Sequence, residues 1–139
     1  MELVRWLHRD RFDPRKNRFT RVAFRNSGND GGISVSECAC IHRLSSARGN
    51  EICEHARTRY LDRGSRTVSD PPIYWRFDTS ILPRSSVVTL DPTNDDPCHS
   101  NITGISDDEC SVLLQSHGLS DFLICDGANP RMLLRSDLP

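Results

Sequence analysis

The sequence predicts a single α+β domain over residues 1–139, with two helices packed on one face of a mostly antiparallel sheet. A chain of 139 residues has the length of one domain with one hydrophobic core. Short runs rich in β-branched and aromatic residues are separated by turn-forming residues, which is typical of strands. Two further segments combine a capping residue with apolar positions at helical spacing. Because predicted strands neighbour one another and helices are few, the pattern favours α+β over a regular α/β alternation.

Extended structure is predicted in three places within the first 35 residues. Apolar and polar side chains alternate over residues 3–7, and residues 19–24 and 33–35 have similar character. Residues 26–32 are mostly Gly, Asn and Asp, which tolerate the positive φ angles of tight turns. The second and third strands are therefore expected to form a hairpin.

The first predicted helix covers residues 51–63. Asn50 is placed to cap its N-terminus and Gly64 to end it. Apolar residues recur every four positions from Ile52 to Tyr60, so one side of this helix is expected to be buried.

The second half of the chain is predicted to contain four strands and a second helix. The strands are expected at residues 73–77, 86–90, 101–105 and 122–125. Ser106 and Glu109 have the spacing of a capping box, so the second helix is expected to begin after Ser106 and to end before Gly118. Residues 126–130 are expected to turn the chain into a short tail.

Charge is distributed unevenly along the chain, although the formal net charge is −1. Residues 1–25, the basic block, contain eight basic and three acidic residues. Residues 85–129, the acidic block, contain eight acidic residues and no Lys or Arg. The two blocks can either pair with each other or face two different partners, and the sequence leaves both alternatives open.

The protein is expected in the cytoplasm and not in a membrane. Its first ten residues lack the uninterrupted apolar run of a signal peptide. No segment approaches the roughly 18 apolar residues of a membrane-spanning helix. In a reducing cytoplasm the six cysteines are expected to be thiols.

Soft ligands between positions 38 and 55 have the composition of a zinc site: Cys38, Cys40, His42, Cys53 and His55. Their spacing argues against one, because a single residue separates Cys38 from Cys40, whereas structural zinc sites place two to four between paired cysteines. Cys53 and His55 would also point to different sides of the predicted helix. We therefore predict no metal and no cofactor, and a core role for these cysteines.

Cys98 and His99 suggest a catalytic thiol, because an imidazole can lower the pKa of a cysteine. Adjacent residues on a strand point to opposite faces of the sheet, so these two side chains are not expected to meet. No catalytic residue is predicted.

The candidate binding residues belong to the two charge blocks. They are Arg9, Arg11 and Arg15 in the basic block and Asp91, Asp95, Asp96 and His99 in the acidic block. The arginines alternate with Phe12 and Phe19, a pattern suited to following a phosphate backbone and stacking bases. The aspartates resemble a divalent-cation loop in composition, but they lack the Gly and Glu of an EF-hand, so a solvated loop is expected.

Three short segments resemble an uncharacterised group of short bacterial proteins with the layout AF…(L/I)SV…NPxH. They are Ala23-Phe24, Gly32-Ile33-Ser34-Val35 and Pro97-Cys98-His99, followed by a short strand and a helix. The resemblance implies a bacterial origin and carries no activity with it.

Two functions of different kinds fit these observations. The charge pattern favours a small non-catalytic accessory protein that docks onto larger protein partners through its basic and acidic surfaces, with nucleic acid as an alternative partner of the Arg-rich segment. The alternative is a small enzyme acting on a nucleotide or another phosphate-bearing substrate through Arg, His and Asp side chains. That enzyme requires a pocket that brings Arg5 or Arg9, at the start of the chain, near residues 91–99.

Overall fold

A computed structural model describes residues 1–24, 32–46 and 49–139. Its nine strands are, in chain order, β1 (Glu2–Leu7), β2 (Phe12–Asp13), β3 (Arg18–Phe19), β4 (Ile33–Glu37), β5 (Ile73–Asp78), β6 (Val87–Leu90), β7 (His99–Thr103), β8 (Leu123–Asp126) and β9 (Asn129–Met132). Seven of them form the main sheet in the order β6-β7-β4-β1-β5-β8-β9, and β2 pairs with β3. Every paired neighbour is antiparallel, which confirms the predicted α+β class.

The described part of the chain contains four α-helices: α1 (Arg21–Phe24), α2 (Cys38–Leu44), α3 (Glu51–Arg59) and α4 (Asp107–Gln115). Both predicted caps are confirmed. Asn50 Oδ1 accepts the backbone N–H groups of Ile52 and Cys53 at 3.0 Å. Ser106 and Glu109 form the reciprocal capping box of α4, at 3.1 Å and 2.9 Å. These bonds satisfy N–H groups that have no partner inside the helix.

The central strands of the main sheet are buried on both faces, whereas the edge strands β6 and β9 are largely exposed. Along β1, Leu3 and Leu7 join one apolar cluster while Val4 and Trp6 join another, because successive side chains of a strand point to opposite faces. We call the first cluster the aromatic face, since it holds Phe12, Phe19, Phe24, Trp75, Phe77 and Phe122. We call the second the cross-linked face, since it holds Cys40, Cys53, Cys98 and Cys125.

The two longer helices lie on opposite faces of the sheet, so the prediction of two helices on one face is wrong. Ile52, Cys53 and Ala56 of α3 belong to the cross-linked face. Cys110 and Leu114 of α4 belong to the aromatic face. The reason is that the central strands are apolar on both sides, and each side has to be covered.

The predicted hairpin between residues 19–24 and 33–35 is also wrong, and its turn falls mostly outside the described residues. Residues 21–24 form the helical turn α1, which allows Ala23 and Phe24 to be buried together, whereas adjacent residues of a strand would point apart. β4 pairs instead with β1 and β7. The other predicted strands are confirmed within two residues of their bounds, whereas α2 and β9 form in segments where no element was predicted.

Four cysteines form two disulfides, so the expectation that all six are thiols is wrong. Cys40 bonds to Cys98 and Cys53 to Cys125, across 58 and 72 residues of chain. The spacing of cysteines in the sequence cannot predict pairings over such distances, because these pairings depend on which strands and helices meet in the fold. Cys38 remains a thiol. Within the described ranges, no helix is both long and apolar enough to cross a membrane.

Candidate functional site

The centre of the main sheet opens between β1 and β4. These strands pair only at Leu3–Glu37 and Val4–Ser36, whereas β1 and β5 pair along six positions. Beyond the last pair, the Arg5 side chain bridges the separating strands. Its Nη1 donates to the carbonyl oxygen of Ser34 at 2.9 Å, and its Nε donates to that of Ala23 at 3.1 Å. Burial lowers the pKa of Arg5 to about 10, so the guanidinium stays charged at neutral pH.

A cleft of about 730 Å³ lies over this opening. Its walls come from β1 and the turn after it, from α1, from β4, from the C-cap of α3 and the segment after it, and from the loop before β7 with the first residue of β7. The basic side chains in the wall are Arg5, His8, Arg11, Arg66 and His99. Asp10 and Asp95 are the carboxylates of the same wall. The volume is that of a pocket for a small organic ligand, and the wall offers both cationic donors and anionic acceptors.

Asp96 is buried behind the cleft and accepts four hydrogen bonds. Its Oδ2 accepts from the hydroxyls of Ser36 at 2.5 Å and Tyr60 at 2.8 Å. Its Oδ1 accepts from His55 Nε2 at 2.9 Å and from the backbone N–H of Cys98 at 2.8 Å. Ser36 and Tyr60 also line the cleft. We call these five residues the Asp96 hub.

The hydrogen bonds of the hub determine the charge of Asp96. Burial raises the pKa of a carboxyl group, but the bonds from His55 and Ser36, the charge of His55 and the Cys98 N–H outweigh it and hold the pKa of Asp96 at about 2. Burial and the neighbouring Asp96 carboxylate raise the pKa of Tyr60 far above its usual range. Tyr60 therefore stays protonated and continues to donate.

The loop that carries Asp96 is a closed turn. Thr93 Oγ1 accepts the backbone N–H of Asp96 at 2.9 Å, and the Thr93 N–H donates to the Asp96 carbonyl oxygen at 3.0 Å. Asp91 and Asp95 are exposed, but Asp96 is only 1% exposed, so the prediction of a solvated loop is wrong for Asp96. The turn directs this one carboxylate inward, where four donors replace its water.

The hub is not arranged as a nucleophilic relay. In a serine nucleophile with a histidine base, the imidazole lies between the hydroxyl and the carboxylate. Here Ser36 and His55 both bind Asp96, and Ser36 Oγ also accepts from Trp6 Nε1 at 3.3 Å. The arrangement anchors the loop before β7 to β4 and α3.

The structure divides the predicted binding residues between the cleft, the hub and the surface. Arg11, Asp95 and His99 line the cleft, and Asp96 is the centre of the hub. Arg15 and Asp91 are exposed, and Arg9 is half-buried, with its backbone N–H on Ser69 Oγ at 2.8 Å. The imidazole Nδ1 of His99 donates to the Asp91 carbonyl oxygen at 2.8 Å, which fixes the orientation of its ring.

Of the cysteines predicted to lie in the core, Cys40 and Cys53 are buried there, whereas Cys38 is only partly buried against it. Cys40 and Cys53 are held apart in separate disulfides, and Cys98 has no thiol to act as a nucleophile. Burial raises the pKa of Cys38 to about 11, so it is a poor nucleophile at neutral pH. Among the described residues, the one group of three metal-ligating side chains is His55, Asp96 and Cys98, whose ligand atoms lie within 4.8 Å of one another.

Sequence reasoning missed Arg66 and Tyr60 as cleft residues and gave Arg5 only a passing role. The strand sequence Leu-Val-Arg-Trp-Leu carried a signal for Arg5, since a charged residue inside a buried strand requires partners. No local signal marked Tyr60 and Arg66 as cleft residues. Tyr60 directly follows α3 and Arg66 lies in the loop after it, so only the folded chain brings them to the cleft.

Comparison with protein-family models, curated proteins and solved structures gave no match.

Proposed function

We propose that the cleft binds a small phosphate-bearing molecule of nucleotide type. The observation that carries this proposal is the convergence of Arg5, Arg11, Arg66 and His99 on one cleft from three separate segments of the chain. Guanidinium groups bind phosphate oxygens through paired, charge-assisted hydrogen bonds. The geometry meets the requirement of the sequence-based alternative, a pocket that brings the first strand near residues 91–99.

The carboxylates of the wall favour a nucleotide over a polyanion. Asp10 and Asp95 would repel the continuous phosphate backbone of a nucleic acid, but they are suitable acceptors for the hydroxyl groups of a sugar. Trp6 and Tyr60 line the same cleft, with ring centroids 6.0 Å apart. A ligand with a ring, a sugar and a phosphate therefore matches the wall better than inorganic phosphate alone.

His99 is the residue of the wall best suited to acid–base chemistry. Because its Nδ1 donates to the Asp91 carbonyl oxygen, Nε2 is the nitrogen that can accept or return a proton. Its half-buried position on β7 places the ring at the cleft. A reaction on the bound phosphate compound would use His99 in this role.

Binding of ADP, adenosine and inorganic phosphate, measured by calorimetry on the purified protein, tests the proposal. ADP is expected to bind more tightly than adenosine or phosphate. Arg11→Ala and Arg66→Ala are each expected to weaken ADP binding about tenfold, since a charge-assisted hydrogen bond is worth about 1.4 kcal/mol or more. Arg84→Ala removes an exposed arginine outside the cleft and is the matched control. Equal losses in all three variants, or no ADP binding by the wild type, would contradict the proposal.

Docking onto a larger protein partner is the second candidate function. The observation that favours it is that both charge blocks have exposed side chains. Those of the basic block include Arg15, Lys16 and Arg18, and those of the acidic block include Asp91 and Asp108. Arg21 and Asp107 link the blocks through an exposed salt bridge of 3.6 Å. An exposed pair of this kind contributes little stability, so the blocks are suited to steering a charged partner.

Reversal of Asp91 and Asp108 to Lys tests docking. The Asp91 carboxylate lies 3.5 Å from His99 Nδ1 at the cleft, so Asp108→Lys alone is the variant that leaves the cleft unchanged. Association with a co-purifying protein is expected to slow and to become less dependent on salt, because exposed charges act over about 10 Å at 0.1 M salt. The fold is expected to remain intact, since both side chains are exposed. Unchanged association kinetics would exclude the acidic surface as the docking site, and co-purification of nucleic acid would indicate the other partner class.

A further inference from the structure

We propose that reduction of the Cys40–Cys98 disulfide converts the cross-linked face into a zinc site formed by Cys40, His55, Asp96 and Cys98. Zinc in proteins is bound tetrahedrally by thiolate sulfur, imidazole nitrogen and carboxylate oxygen. The four residues supply two sulfurs, one nitrogen and one oxygen. The proposal is independent of the ligand of the cleft.

Three of the four proposed ligands already lie close together, and the fourth is bonded to one of them. One ligand atom each of His55, Asp96 and Cys98 lies within 4.8 Å of the other two, and Cys40 Sγ is bonded to Cys98 Sγ. With zinc–ligand distances of about 2.0 to 2.3 Å, ligand atoms stand about 3.3 to 3.8 Å apart. Closing from 4.8 Å to this spacing requires side-chain movements of about 1 Å in His55, Asp96 and Cys98, and Cys40 Sγ has to turn away from Cys98 Sγ once the bond is reduced.

The surroundings of the four residues are those of a structural metal site. His55 is 5% exposed, Asp96 1% and Cys98 0%, so water is excluded. Ser36 and Tyr60 donate to Asp96 Oδ2, which leaves Oδ1 on the side of His55 and Cys98. Hydrogen bonds of this kind orient a ligating carboxylate and raise metal affinity.

The chemistry balances with a dithiol as the reductant. The dithiol gives two electrons and two protons, its own sulfurs join in a disulfide, and the Cys40–Cys98 bond becomes two thiols. Zinc binding then releases the thiol protons, and the Nε2 proton that His55 shares with Asp96 is released or replaced at Nδ1. In a reducing cytoplasm, where structural disulfides are rare, the zinc form would take over the connection between α2 and the loop before β7.

Two double variants separate this site from the other cysteines. Each is reduced with a phosphine, which becomes a phosphine oxide and offers no thiol ligand, and is then titrated with Zn²⁺. Cys53→Ser/Cys125→Ser keeps the four proposed ligands and is expected to bind one equivalent. Cys40→Ser/Cys98→Ser has the same number of thiols and is expected to lose stoichiometric binding. Replacing Zn²⁺ by Co²⁺ is expected to give thiolate-to-metal charge-transfer absorption in the first variant alone.

A measurement on the reduced wild type covers the case in which a variant does not fold. Zn²⁺ is expected to slow the alkylation of Cys40 and Cys98, as located by mass spectrometry, and to leave that of Cys53 and Cys125 unchanged. Tyr60→Phe is expected to weaken zinc binding about tenfold, because it removes a donor to the ligating carboxylate. Equal zinc binding by the two double variants would overturn the proposal. So would a lack of protection at Cys40 and Cys98, or a disulfide that is reduced only when the protein unfolds.

Discussion

The two faces of the main sheet are stabilised by different kinds of interaction. On the aromatic face, the Trp75 ring packs against those of Phe24, Phe77 and Phe122, at centroid distances of 5.2, 4.4 and 6.2 Å. The hydrophobic part of this attraction depends on buried area and not on direction, and the preference of aromatic rings for offset or edge-to-face contacts is a smaller addition to it. On the cross-linked face, two disulfides and the four hydrogen bonds of Asp96 carry the connections. Those bonds specify both partners and their geometry.

Both faces contribute to the cleft, but the cross-linked face fixes the part of it that lies before β7. Asp95 and His99 are cleft residues, and their neighbours Asp96 and Cys98 are the ones that hydrogen bonds and a disulfide fix. Directional bonds place side chains from distant segments more accurately than apolar packing, which tolerates substitutions of similar volume. The cross-linked face therefore determines where the cleft residues Asp95 and His99 lie, whereas Arg5 is held by the carbonyl oxygens of Ala23 and Ser34.

Removal of one disulfide is the strongest test of this contrast. Cys53→Ser/Cys125→Ser is expected to lower the free energy of unfolding by about 4 kcal/mol, from the loop entropy of a cross-link over 72 residues. Urea denaturation under oxidising conditions measures it. Phe24→Ala, on the aromatic face, is expected to cost about 3 to 5 kcal/mol under both oxidising and reducing conditions. As a control, the cysteine variant and the wild type are also compared under reducing conditions, where neither has the cross-link. If the variant is still less stable by the same amount, its loss of stability comes from altered packing and not from the missing disulfide.

The hub provides the second test. Asp96→Asn keeps the volume but removes the charge that four donors were arranged to bind, and is expected to cost about 3 kcal/mol. Asp95→Asn changes the exposed neighbour in the same way and is expected to stay within about 0.5 kcal/mol. Equal effects of the two variants in chemical denaturation would contradict the assignment of Asp96 as the anchor of this loop.

Acid provides a third, smaller test on the oxidised protein. The pKa of Asp96 is about 2 in the folded chain and about 4 in an unfolded one, so the folded state binds fewer protons between these values. The stability that Asp96 contributes is complete above pH 4 and is lost as the pH falls towards 2, by about 2 kcal/mol. Arg131 lowers the pKa of Asp137 to about 2 as well, through hydrogen bonds to it. The difference in the free energy of unfolding between the wild type and Asp96→Asn, followed from pH 5 to pH 2, therefore isolates the contribution of Asp96. If this difference does not change with pH, the assigned role of Asp96 is wrong.

Substitution of the helix caps gives the smallest expected effect, and this effect should be the same on both faces of the sheet. Asn50→Ala on α3 and Ser106→Ala on α4 are each expected to cost about 1 kcal/mol, because each leaves backbone N–H groups without an acceptor. A cap acts within its own helix, so the face that the helix covers should not matter. Thermal melts measure both. A melting temperature of Ser106→Ala equal to that of the wild type would show that α4 does not begin there.

Local features of the sequence predicted local features of the fold. The alternation of residues 3–7, the apolar run of residues 73–77 and both caps correspond to β1, β5, α3 and α4, because each depends on neighbours within a few residues. The predicted strand at residues 19–24 failed because Ala23 and Phe24 are buried together, and this requirement comes from the packing of α1 against the sheet.

By itself, the sequence determined the α+β class, most of the strands and the helix caps, since propensity, periodicity and capping act over a few residues. Only the tertiary structure decided that Asp96 is buried while Asp95 is exposed, that Cys40 meets Cys98, and that Arg5 and His99 share a cleft. Each of these pairings joins segments far apart in the chain. Their formation depends on strand order and on which face each helix covers, and no local pattern of residues encodes either.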